Sequence, residues 1–78
     1  MVEINCITLN GKEYAIIENV CYNNNDYVYL INLEDEKDIL VRKVIIESNE
    51  NYYCTLDSVE ELDNVMLEIH KKLNKKYP

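Results

Sequence analysis

The fold is decided by the stretch Leu56-Asp57-Ser58-Val59-Glu60-Glu61-Leu62-Asp63-Asn64-Val65-Met66-Leu67-Glu68-Ile69-His70-Lys71-Lys72-Leu73. Val59, Leu62, Val65, Met66, Ile69 and Leu73 recur at spacings of three and four, which sets them on one face of a 3.6-residue helix. Asp57 or Ser58 can accept an orphan N–H of the first turn, and Glu60 or Glu61 lies three residues on from each, the spacing of a capping box. Acids (Asp57, Glu60, Glu61, Asp63) open the segment and bases (Lys71, Lys72, Lys75, Lys76) close it, the polarity that a helix dipole favours. Glu68 and Lys72 make an expected i,i+4 pair. A helix over about 58–76 with one apolar face needs a flat apolar layer beneath it.

The rest of the chain supplies strands. Val2 to Leu9 alternates loosely and ends at Asn10-Gly11, the dipeptide of a type I′ hairpin turn, and Lys12 to Val20 returns. That turn sets Ile7 opposite Tyr14, Cys6 opposite Ala15 and Ile4 opposite Ile17. Ile4, Cys6, Ala15 and Ile17 then share a small apolar face suited to close helix packing. Ile7, Leu9, Tyr14 and Ile16 share the other face with polar neighbours, as a half-exposed surface would. Cys21 and Tyr22 lead into the loop Asn23-Asn24-Asn25-Asp26. Tyr27–Leu33, Ile39–Glu47 and Tyr52–Leu56 read as three further strands. The turns between them are Glu34-Asp35-Glu36-Lys37-Asp38 and Ser48-Asn49-Glu50-Asn51. Arg42 and Lys43 are adjacent in one strand and point to opposite faces, so at least one must snorkel or pair with an acid. The pattern predicts one α+β domain over residues 1–78, an antiparallel β-meander of four to five strands packed against one C-terminal amphipathic helix. A small, curled, partly open barrel plugged by the helix is the competing architecture.

Composition narrows the function classes. The chain has 78 residues, 47% of them hydrophobic, and a net charge of −7. That length allows one domain, and the hydrophobic fraction excludes disorder. Residues 1–68 hold all 15 acids but only Lys12, Lys37, Arg42 and Lys43 as bases. Such a surface repels a phosphate backbone, so no direct nucleic-acid partner is expected. No apolar run is long enough to span a membrane, and the first residues lack the pattern of a signal peptide. A cytoplasmic location, with no membrane partner, is the expectation. Cys6, Cys21 and Cys54 form an odd set without close pairs, read as buried free thiols rather than a disulfide framework. His70 stands alone on the helix, so no zinc site is expected. The acidic turn at Glu34–Asp38 lacks the glycine and the twelfth-position glutamate of a calcium loop. No phosphate-cradling loop, nucleophile elbow or metalloprotease motif occurs, and no cofactor and no catalytic residue is assigned.

Two features suit a protein partner. Glu34, Asp35, Glu36 and Asp38 gather in one turn, and Asp57, Glu60, Glu61 and Asp63 gather around the helix start. Carboxylates so clustered can steer a protein onto a basic surface or stand in for phosphates. The aromatic residues are seven tyrosines, and Tyr29 and Tyr53 are the candidates for a wet apolar contact face.

Three segments also carry a resemblance. Gly11-Lys12-Glu13-Tyr14-Ala15-Ile16-Ile17, Tyr27-Val28-Tyr29-Leu30-Ile31-Asn32 and Val59-Glu60-Glu61-Leu62-Asp63 are similar to small, acidic, β-rich Firmicutes proteins grouped as a domain of unknown function. The many asparagines and three cysteines depart from that group. The resemblance transfers no activity and implies a small cytoplasmic protein of Gram-positive bacteria or their mobile elements. Residues and resemblance together lead to a non-enzymatic interaction protein that presents acids and tyrosines to a basic protein surface. Its most specific form is a phage or mobile-element inhibitor that mimics nucleic acid and occupies the groove of a nucleic-acid-binding protein, as anti-defence (anti-CRISPR) proteins do. A housekeeping adaptor or assembly subunit is the alternative, and a small cysteine-dependent enzyme the remote one. Two uncovered sheet edges would also suit a homodimer.

Overall fold

The computed structural model describes residues 5–76, with the Lys76 side chain outside that description. Among these residues five strands precede one helix: β1 (Cys6–Leu9), β2 (Lys12–Tyr22), β3 (Asn25–Asn32), β4 (Ile39–Glu47), β5 (Glu50–Cys54) and α1 (Val59–Lys76). The strands form one antiparallel sheet in the order β1-β2-β3-β4-β5. This is the expected α+β meander, and the sheet is curled.

Three of its hairpins share one device. Asn10 and Gly11, Asn23 and Asn24, and Ser48 and Asn49 all have positive φ, between 50° and 76°. Two consecutive residues of that kind make a type I′ turn, whose twist matches the strands it joins. Asparagine tolerates the left-handed region better than most residues, so the asparagine-rich loops are turn chemistry. The stretch read as a loop over Asn23–Asp26 is accordingly a two-residue turn, Asn23-Asn24, with Asn25 and Asp26 already in β3, and β2 runs on through Cys21 and Tyr22. The first hairpin has the expected register, with Cys6 opposite Ala15 and Ile7 opposite Tyr14. Ile4, and so its pairing with Ile17, lies outside the described residues.

Beyond that hairpin β2 changes faces. Its pairing with β3 shifts between Ile16 and Glu18, a bulge that reverses the alternation. Tyr14 and Ile16 therefore point to the far side of the sheet, while Val20 and Tyr22 point to the helix. Glu18, in the bulge, is buried. The expected helix-packing set is corrected by this shift. Cys6 is exposed and Ile17 is 40% exposed, leaving Ala15 as the buried member among those of the set that are described.

Two cores result. On the helix side Val65 and Ile69 are fully buried against Val20, Tyr27 and Val41, with Tyr22, Tyr29, Leu56, Met66 and Leu73 around them. On the far side Tyr14, Val28 and Leu30 are buried under Ile7, Leu9, Ile16, Leu40, Val44 and Tyr53. Leu30 has no exposure although no helix covers it, because the curl brings side chains from the outer strands over it. The face read as half-exposed is thus a second core. Each fully buried Leu, Ile or Val side chain contributes about 1.5–3 kcal/mol.

The helix starts as its sequence requires. The Glu61 N–H donates to Ser58 Oγ at 3.1 Å, and Glu61 Oε1 accepts the Asp57 N–H at 2.7 Å. Ser58 is therefore the cap and Glu61 the reciprocal acid. The Glu68–Lys72 pair does not form. Glu68 meets Lys71 at 3.4 Å, while Lys72 donates to the Asn19 carbonyl at 2.7 Å and lies 3.8 Å from Glu18. Lys72 pins the C-terminal half of α1 to the bulged part of β2.

Candidate functional site

The acidic turn between β3 and β4 is partly architecture. Asp38 Oδ2 accepts the Tyr14 hydroxyl at 2.6 Å and the Asn32 amide at 3.1 Å. The Tyr14 bond, then the Asn32 bond, holds the Asp38 carboxyl below the usual carboxylate range, and the same contact raises the Tyr14 hydroxyl. Buried Asn32 also accepts the Glu34 N–H at 2.8 Å, and Asp35 Oδ1 accepts the Lys37 N–H at 3.0 Å. Glu34, Asp35 and Glu36 are left exposed at the tip.

The helix start divides in the same way. Glu61 accepts the Tyr27 hydroxyl at 2.5 Å and lies 3.0 Å from Lys43 Nζ, which also lies 3.4 Å from Asp57. The Tyr27 bond, the Asp57 N–H and Lys43 together bring the Glu61 carboxyl down to about 2. Burial, then the Glu61 contact, pushes the Tyr27 hydroxyl up to about 12. Lys43 sits 5.9 Å above the Tyr27 ring and is raised mainly by Glu61. Lys43 is thus the member of the Arg42–Lys43 pair that meets acids. Arg42 leaves β4 from the opposite face, and its guanidinium turns back to donate to the Val41 carbonyl at 2.9 Å. Asp57, Glu60 and Asp63 are exposed.

Between the two clusters runs a groove of about 750 Å³. Its strand wall is Ile39–Arg42 with Tyr29 behind, and its helix wall is Val59, Leu62 and Met66 above Leu56 and Asp57. The groove exists because α1 leans mainly on β2, leaving the β4 side of its apolar stripe uncovered. Val59 is 74% exposed, Ile39 45% and Leu62 37%. The acidic turn leads in sequence into the strand wall at Ile39. The groove is therefore mostly apolar within, with Asp57 as its lining carboxylate and Arg42 as its lining cation among the described residues.

The candidate residues separate accordingly. Tyr29 lines the groove, whereas Tyr53 packs in the far-side core, so the two do not form one contact face. Asp38 and Glu61 are committed to internal bonds. Glu34, Asp35, Glu36, Asp57, Glu60 and Asp63 remain open to solvent. Ile39, Val59 and Leu62 are the additions. Sequence periodicity marked Val59 and Leu62 as core, since it cannot show that the helix overhangs its sheet. Cys6 and Cys21 are exposed and Cys54 is half-buried, which corrects the expectation of buried thiols; a partly solvated sheet surface holds them. His70 is exposed on α1. Among the described residues no group of three His, Cys, Asp or Glu side chains could hold a metal ion. Among the described residues no helix is long and apolar enough to cross a membrane.

No family model matches the chain, and no solved structure matches it. Two relatives do. The UPF0473 protein of Caldicellulosiruptor saccharolyticus is 31% identical over 72 residues, covering 78% of this chain and 72% of that protein. The UPF0473 protein of Caldicellulosiruptor bescii is 31% identical over 72 residues, covering 78% of this chain and 73% of that protein. At that identity and coverage the chain belongs to the UPF0473 family.

Proposed function

We propose that this protein is a non-enzymatic, cytoplasmic protein-binding module whose groove receives a basic segment carrying apolar side chains. The observation that carries the reading is the groove itself. Val59 and Ile39 face solvent from opposite walls of an apolar trough lined by the carboxylate of Asp57, and the acidic 34–38 turn leads in sequence into its strand wall at Ile39. A partner segment that fills it removes apolar area from water at about 25 cal/mol per Å² while its cations meet the flanking carboxylates. The nucleic-acid mimic is the second reading, supported by the net charge of −7 and the two acid clusters. It is weakened at Asp38 and Glu61, whose carboxylates are already engaged by Tyr14, Asn32, Tyr27 and Lys43.

Three baits separate these readings: wild type, Val59→Asp/Leu62→Asp in the groove, and Glu34→Lys/Asp35→Lys/Glu36→Lys at the turn. All the changed side chains are more than a third exposed, so the fold survives the substitutions. A protein retained from lysate by wild type and lost by both variants is the expected result, with affinity falling as salt is added. Loss with the turn variant alone would transfer the function to the acids and favour the mimic. Equal capture by all three baits would remove both readings.

A further inference from the structure

We infer that β5 is a dimerisation edge, on which a second copy of this chain adds its own β5 antiparallel about a two-fold axis at Tyr52. This stands apart from the groove, which borders the other half of β4. β5 is the last strand of the sheet, and among the described residues it pairs only with β4. Edge strands are usually blunted by charged side chains, lysine above all, by proline or by a bulge, and the one charge of β5 is Glu50 at its first position. Asn51-Tyr52-Tyr53-Cys54 has none of these.

The hydrogen-bond phase of the hairpin says which backbone groups are open. A two-residue type I′ turn is closed by a pair that exchanges both backbone bonds, here Glu47 and Glu50. Alternate pairs then bond, so Tyr52 bonds Ile45 and Cys54 bonds Lys43. The same counting at the first hairpin requires a bond between Asn5 and Ile16, and the Ile16 N–H does donate to the Asn5 carbonyl, at 2.8 Å. On β5 the N–H and C=O of Asn51 and Tyr53 are therefore left pointing outward.

Those two residues are self-complementary. With Tyr52 on the axis, Asn51 faces Tyr53 of the second copy, Tyr53 faces its Asn51, and each pair exchanges two bonds. Glu50 faces Cys54, so no like charges meet. Axes at Asn51 or Tyr53 overlap fewer residues, and an axis at Glu50 opposes two carboxylates. The side chains agree with this seam. Ile45, Ile46 and Tyr52 all lie in this hairpin and are 39%, 66% and 46% exposed. Ile45 and Tyr52 are neighbours on the helix side and Ile46 is on the far side, so the seam has apolar cover on both faces. Self-pairing closes at two chains, whereas β1 against β5 would run on head to tail.

Sedimentation equilibrium of wild type and Asn51→Pro is the test. Proline at an outward N–H leaves the β4 bonds intact and removes a seam bond. Wild type is expected at twice the chain mass, and the variant at the chain mass with unchanged circular dichroism. In a Cys6→Ser/Cys21→Ser/Cys54→Ser background, Tyr52→Cys is expected to oxidise to a cross-linked dimer and Asn51→Cys to remain uncross-linked. Non-bonded pairs hold their Cα atoms about 4.5 Å apart, within disulfide reach. A monomeric wild type at all concentrations overturns the inference, as does a dimer that survives Asn51→Pro. Should that variant unfold, failure of Tyr52→Cys to cross-link overturns it and success upholds it.

Discussion

Glu61 joins three parts of the molecule that are distant in sequence: the helix cap through Asp57, the sheet core through Tyr27, and the β4 cation Lys43. Its carboxyl stands at about 2 in the fold against 4.5 for a free side chain. A lowered carboxyl contributes stability that is fully present above pH 4.5 and is lost as pH falls towards 2. Tyr27 has the opposite sense. Its hydroxyl is raised from 10.0 to about 12, so its contribution is complete below pH 10 and is lost as pH climbs through 12. Urea midpoints measured across pH should therefore fall on both sides. Glu61→Gln should lower the midpoint at neutrality and flatten most of the acid limb, the remainder belonging to Asp38, whose carboxyl is also lowered. Tyr27→Phe should cost about 1.5–3 kcal/mol at neutral pH, the range for a bond to a charged acceptor, and flatten the alkaline limb, the remainder belonging to Tyr14 and Lys43, which are also raised. An acid limb as steep in Glu61→Gln as in wild type would mean that the Tyr27–Glu61–Lys43 contact does not tie helix to sheet.

At the scale of elements, the hairpins show what local chemistry dictates and what it conceals. Asn10-Gly11 is legible as a type I′ turn because both residues accept positive φ cheaply, and the register that follows from it is the register observed. Ser48-Asn49 makes the same turn without the signal, since Ser48 holds φ of 50° against its own preference. Ser48→Asn should therefore raise stability by about 0.5–1 kcal/mol, a fraction of the usual left-handed penalty, read as a higher urea midpoint at unchanged slope. A lower midpoint would mean that the Ser48 hydroxyl serves the turn in another way. The helix was legible through its period, its cap and its charge polarity, all of which act within a few residues. The bulge at Ile16–Glu18 was not, because nothing local to Ile16-Ile17-Glu18 distinguishes a bulged run from an alternating one. One extra residue there exchanged the faces of β2, burying Glu18 and exposing Ile17. The groove was hidden for the same reason. Val59 and Leu62 share the period of Val65 and Ile69, and only the lean of α1 towards β2 separates the buried pair from the exposed one.

For the whole molecule, the two surfaces occupy opposite halves of one strand. β5 covers β4 from Lys43 to Glu47, and the groove borders β4 from Ile39 to Arg42. In the open half the Val41 carbonyl is taken by Arg42, which blunts that edge against strand addition. The outer half of β5 has no such guard. Charge should then act on the two surfaces with opposite signs. Dimerisation brings together two chains that each carry −7, so screening should tighten it. Groove binding joins an acidic rim to a basic segment, so screening should weaken it. The Debye length falls from about 10 Å at 0.1 M to about 3 Å at 1 M salt, enough to silence charges at the seam or rim without touching buried contacts. Sedimentation equilibrium over that range should show the dimer constant rising with salt. A titration with a synthetic peptide of alternating lysine and leucine should show its affinity for the groove falling. If both quantities fell together, the dimer would rest on ion pairs and not on the uncharged β5 edge. If neither moved, the acids of the 34–38 turn and the helix start would be present for solubility alone, and the groove would select its occupant by shape and apolar area.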